Sequence, residues 1–146
     1  MASKAMLQLK GFDDLLEQIQ KAGGSIDQAA DSCLRQSAQI MQRELKAQMQ
    51  AAGVDSDLVG RMPPPQITVK DNVYSAAVGY KKGNFDPNDL SDGYKVVFLN
   101  YGTPHRTLHG KVAARGFIQA AKKKARPQIK REQQATLEKI LGRVSK

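Results

Sequence analysis

Ser25-Ile26-Asp27-Gln28-Ala29-Ala30-Asp31-Ser32-Cys33-Leu34-Arg35-Gln36-Ser37-Ala38-Gln39-Ile40-Met41-Gln42-Arg43-Glu44-Leu45-Lys46-Ala47-Gln48-Met49-Gln50-Ala51-Ala52 is the stretch that decides the fold. Ile26, Ala30, Cys33, Leu34, Ser37, Ile40, Met41, Leu45 and Met49 recur at helical spacing and trace one apolar stripe. Arg35, Gln36, Gln39, Arg43 and Lys46 cover the other face. Ser25 can accept from an otherwise unpaired amide of the first turn, and Asp27 suits the positive end of the helix dipole. Gly53 supplies the stop. A long amphipathic helix must bury its stripe against a second layer, so the flanking segments set the architecture.

Upstream, Phe12, Leu15, Leu16 and Ile19 predict a shorter helix, with Asp13, Asp14 and Glu17 early in it and Gly23-Gly24 as the break. Before it, Leu7-Gln8-Leu9-Lys10 alternates like a short strand. Downstream, Asp55, Ser56, Asp57, Gly60 and Pro63-Pro64-Pro65 predict a loop over 53–65. Ile67 to Lys70 and Val73 to Tyr80, parted by Asp71-Asn72, read as an antiparallel hairpin. Lys81 to Gly93 reads as an exposed loop. Tyr94 to Tyr101 is β-branched and aromatic, which predicts a third strand, with room for a short helix at its end near Leu99 to Tyr101. Thr103 to Lys111 reads as another loop.

From Ala113 to Arg143 the pattern is helical again, with Phe117, Ala121, Ala125, Ile129, Leu137, Ile140 and Leu141 as its stripe. Pro127 predicts a kink there, or two abutting helices. The expected whole is one α+β domain over 1–146. A small antiparallel sheet is packed by the long helix of the N-terminal half and by a long kinked C-terminal helix, the latter within a basic segment at 113–146.

Charge is the chain's most uneven property. Residues 1–102 hold 11 Lys/Arg and 12 Asp/Glu, whereas 103–146 hold 12 Lys/Arg and only Glu132 and Glu138. The net charge of +9 therefore resides in the last third. Lys122, Lys123, Lys124, Arg126, Lys130 and Arg131 fall within ten residues and are the candidate contact residues for a polyanion or an acidic partner surface. A solvated helix face is the plainer reading of the same run. Aromatic residues do not interleave with these cations, so stacking of single strands is not expected.

Other chemistry is weakly represented. His105 and His109 have the spacing of two metal ligands on one helical turn, but the segment holds Pro104 and Gly110 and no nearby acidic residue, so a metal site is not expected. Cys33 lies on the apolar stripe, where a thiol is inert. There is no nucleophile elbow, phosphate loop or positioned acid–base pair, so neither enzyme activity nor a cofactor is expected. With no run of ~18 apolar residues, no membrane span is expected. The N-terminal residues have no apolar core of a secretory signal. One cysteine fits synthesis in a reducing cytoplasm.

Several phrases, in their order, resemble the tail-completion (neck, head–tail joining or minor tail) proteins of long-tailed bacteriophages and prophages. Leu7-Gln8-Leu9 leads into Gly11-Phe12-Asp13-Asp14-Leu15, and an alanine-rich helix follows. The hairpin ends in Val78-Gly79-Tyr80. Phe98-Leu99-Asn100-Tyr101-Gly102-Thr103 is similar to the family's end of its last core strand, where an aromatic or acidic residue is followed by Gly-Thr. Gly116-Phe117-Ile118-Gln119-Ala120-Ala121 corresponds to the phrase that opens its final helix, with Gly116 where the family has Pro. Leu58-Val59-Gly60-Arg61-Met62 and three prolines stand where the family often carries Thr-Gly-x-Leu.

The resemblance implies a non-catalytic structural protein of the virion neck or tail, made in the bacterial cytoplasm. It would form a ring with copies of itself and contact connector and tail-tube proteins, with nonspecific contact to the genome DNA that passes through. The charge asymmetry alone leaves open a small basic nucleic-acid-binding protein that meets phosphates through its C-terminal helix.

Overall fold

The computed structural model describes residues 12–71, 73–81, 83, 85, 86, 88–102 and 113–144; for 12–16, 26 and 144 it describes the backbone only. Its elements are α1 (Phe12–Lys21), α2 (Ile26–Ala51), α3 (Ser56–Gly60), β1 (Gln66–Lys70), β2 (Val73–Ala77), α4 (Asp92–Tyr101) and α5 (Phe117–Val144). The fold is α+β, a two-stranded antiparallel sheet against the long helices α2 and α5. The expected strand at 7–10 lies outside the described residues.

Helix α2 forms as its sequence dictates. Ser25, in extended conformation, accepts from Gln28 N, and Gly53, at φ 77°, follows the helix end in the left-handed region that glycine adopts most readily. Its buried line is Ala29, Cys33, Ser37, Met41, Leu45 and Met49, with Ala38 and Ile40 beside it. Helix α5 answers with Phe117, Ala121, Ala125, Ile129, Gln133 and Leu137. The two run antiparallel. Arg115, just before α5, donates to Ala52 O (3.2 Å), Arg43 donates to Gln128 Oε1 (3.1 Å) and Thr136 donates to Gln36 Oε1 (2.6 Å). Each step of four residues turns about 40° on a 3.6-residue helix. The buried line on α5 therefore winds around the axis, meeting α2, Val78, Tyr80 and Val96 in one large core cluster and α1's Ile19 at its far end.

A polar layer separates those two clusters. Gln133 Nε2 donates to Ser37 Oγ, which donates in turn to Cys33 O (2.7 Å). Gln133 Oε1 is buried without a hydrogen bond. Cys33 sits fully buried in the smaller cluster with Ile19, Ala29 and Leu137, and burial pushes its thiol up to about 11. The thiol is thus a packing group, as its position on the stripe predicts.

Three expectations are corrected. The predicted third strand, Tyr94 to Tyr101, is helix α4. Ser91 caps it by accepting from Tyr94 N, Asp92 opens its first turn, and Gly102 ends it at φ 74°. Gly93, Val96 and Asn100 are buried at helical spacing. These caps and that packing outweigh the β preference of Val96, Val97 and Phe98, whose propensities differ from good helix formers by less than ~1 kcal/mol each. The predicted loop at 53–65 contains α3, capped by Asp55, which accepts from Asp57 N, and anchored by buried Leu58 and Val59. Helix α5 begins at Phe117 rather than near Ala113, and of the two readings at Pro127 the abutting pair is excluded, since one helix runs through that residue. The ring of Pro127 faces solvent.

The expected antiparallel hairpin forms, with Lys70 opposite Val73 and Gln66 opposite Ala77, but its second strand ends at Ala77 and not at Tyr80. Asp71, at φ 51°, makes the tight turn. Tyr74 ties the hairpin to α2 through its hydroxyl on Asp27 Oδ1 (2.6 Å), and Tyr80 donates to Leu58 O. Both long edges lack a third strand among the described residues, and Val69 and Val73 are more than half exposed near the turn.

Candidate functional site

All six cations singled out in the sequence lie on α5, and packing against α2 decides where each one points. With Ala121, Ala125 and Ile129 facing inward, Lys122, Arg126 and Lys130 form a row at steps of four along one flank. Lys123 and Arg131 lie on the outermost ridge with Pro127 between them, and Lys124 lies on the opposite flank. Lys122 is half-buried and the other five are exposed. A lysine stem can lie along the apolar surface while its ammonium stays in water. The structure thus spreads the cluster over the whole solvent side of the helix instead of gathering it into a pocket.

No acidic residue falls on α5 before Glu132. Across the helix pair, Glu44 accepts from Gln128 Nε2 (2.9 Å), and the same amide's oxygen accepts from Arg43. The ion pairs among the described residues are Arg35–Asp31 (2.8 Å) and Arg61–Asp92 (3.0 Å), neither of which includes a residue of α5. Arg43 is a residue that the sequence reading left on the plain polar face of α2. Its hydrogen bond to Gln128 places a further cation at the rim of the basic face, and only the pairing of the two helices reveals it.

Asn100 is the other residue that sequence reasoning missed. It is almost wholly buried, and its Oδ1 accepts from Ile118 N (2.8 Å), so α4 caps the first turn of α5 from outside. Its carbonyl accepts from Arg115 N and Gly116 N, while Gly116 turns the chain at φ 61°. The cap's Nδ2 is buried without a partner. This joint fixes where α5 starts, and hence where its cations lie. Its residues are polar and small, but nothing in a linear reading links position 100 to position 118.

No family model matches the chain, and no curated protein or solved structure matches it. Among the described residues no group of three or more His, Cys, Asp or Glu could hold a metal ion, and no helix is long and apolar enough to cross a membrane. His105 and His109 lie outside the described residues.

Proposed function

We propose that the chain is a non-catalytic assembly protein of the head–tail junction or tail terminus of a long-tailed phage or prophage. In this reading it acts in the virion by oligomerising with copies of itself and by contacting connector and tail-tube proteins. One observation carries the reading beyond the sequence phrases themselves. Two of them, Phe98-Leu99-Asn100-Tyr101-Gly102 and Gly116-Phe117-Ile118, meet in a single joint, where Asn100 caps the helix that Phe117 opens, although the first phrase closes helix α4 and not the core strand that the resemblance implies. Phrases kept together by such a joint define an architecture and not a reaction centre, which suits a protein that works by shape. The hairpin, whose edges carry no third strand among the described residues and whose turn exposes two valines, offers a surface on which copies can associate.

The test is mass spectrometry of purified particles from the replicon that carries the gene, with a deletion alongside. The expected result is copies of the protein in finished virions, and heads that fail to join tails when the gene is removed. Normal tailed particles from the deletion, with no copies in wild-type particles, would overturn the reading.

A further inference from the structure

We propose that the solvent face of α5 is a contact surface for the phosphate backbone of duplex nucleic acid, centred on the row Lys122, Arg126 and Lys130 with Lys123 and Arg131 beside it. The inference rests on the placement of charge on one helix and stands apart from the head–tail reading.

Geometry comes first. Residues four apart on a helix rise ~6 Å, so the row spans ~12 Å. Duplex DNA carries one charge per ~1.7 Å of axis, so a row of that length lies over several phosphates. The five cations are spread over adjoining ridges, and no acidic residue of α5 precedes Glu132. Long flexible side chains spread this way suit a diffuse array of phosphates. Base reading instead needs a few side chains aimed into a groove.

Two other polyanions fit less well. Single strands are held by aromatic platforms, and the one aromatic residue of α5, Phe117, is buried in the core. Acidic protein surfaces pair through interfaces whose centres are poor in lysine and anchored by large apolar side chains. The outer ridge of α5 offers only Pro127 and Ala135 as apolar exposed groups, amid three consecutive lysines.

The test is fluorescence anisotropy of the full chain with a short random-sequence duplex across a salt series. Binding through four or five phosphates gives a log–log salt slope of about −4. The variant Lys122→Gln/Arg126→Gln/Lys130→Gln should bind on the order of 100-fold more weakly near ~0.1 M salt, with the slope shallower by about 2–3. A control that removes three cations elsewhere, Lys21→Gln/Arg35→Gln/Lys70→Gln, should shift binding less than ~3-fold. Circular dichroism checks each fold, and Lys123→Gln/Arg131→Gln serves as the second variant should the first not fold. The proposal is overturned if wild type shows no duplex binding at about 50 mM salt. Equal affinity of the folded row variant overturns it too, as does polyglutamate that displaces the duplex as well as unlabelled duplex does, which would mark an acidic protein as the partner.

Discussion

Helices α2 and α5 are nearly equal in length and lie antiparallel, each burying one line of side chains at steps of four. Their charges differ sharply. Over Ile26–Ala51, α2 balances Asp27, Asp31 and Glu44 against Arg35, Arg43 and Lys46, whereas over Phe117–Val144 α5 sets eight Lys/Arg against Glu132 and Glu138. The same packing task is thus met by a balanced helix and by a strongly basic one. The excess on α5 is not required by the fold; by self-repulsion it acts slightly against it. What folding does not demand is the part of α5 to read as function.

The buried lines of the two helices should be energetically equivalent. Leu45→Ala on α2 and Ile129→Ala on α5 should each lower stability by ~2–5 kcal/mol, read by urea denaturation. A cost under ~1 kcal/mol at Ile129 would mean that α5 does not share the core as described. Next in size, Asn100→Ala should cost about 2 kcal/mol, because it removes the acceptor for Ile118 N at a buried helix start. Hydrogen exchange should then show the first turn of α5 opening before α2. Uniform loss of protection instead would deny Asn100 its local role as a cap.

The polar layer between the two helices contributes on a smaller scale. Ser37→Ala should cost ~1–2 kcal/mol, since it strands the buried Gln133 amide. The double variant Ser37→Ala/Gln133→Leu should recover most of that, because the orphaned Gln133 Oε1 disappears with its partner. A double-mutant cycle that gives simple additivity would show that the two side chains do not act as a unit. The charges of the α5 row should matter less to stability than these buried groups. Neutralising Lys122, Arg126 and Lys130 should shift it by no more than ~0.5 kcal/mol, in the stabilising direction if relief of like charge at i,i+4 dominates.

How far the sequence discloses this arrangement depends on the range of the interactions involved. Helix α2 is legible because its cap, stripe and stop are all local, and the hairpin is legible from Asp71-Asn72 between two β-favouring runs. Tyr94 to Tyr101 misleads, since β-branched residues look like a strand until Ser91 and Gly102 are recognised as caps for a helix whose buried positions are Gly93, Val96 and Asn100. The six cations can be counted from sequence alone. Their division into a row, a ridge and a flank follows only once Ala121, Ala125 and Ile129 are known to face α2. Asn100 and Arg43 stay hidden for the same reason, because their partners Ile118 and Gln128 lie across the fold.

Acid separates the matched charges from the unmatched ones with the smallest expected effect. Arg61 holds Asp92 through two hydrogen bonds, Nε to Oδ2 at 3.0 Å and Nη2 to Oδ1 at 3.1 Å. This lowers the carboxyl of Asp92 below its ordinary range, chiefly by those bonds, with burial opposing and the positive charge of Arg61 assisting. A group whose folded-state value is depressed binds its proton more readily when unfolded. Its contribution is therefore present above the ordinary carboxylate range and is lost as pH falls through the depressed value. Arg61 is exposed and Asp92 partly so, hence the loss should be small and weaker still in high salt. Arg61→Gln should flatten that part of the stability–pH curve, measured by thermal melts at matched ionic strength. The same variant should leave the salt slope of duplex binding unchanged, since Arg61 lies outside α5. A changed slope would show that the polyanion also touches cations outside α5, and the confinement of duplex contact to that helix would fall.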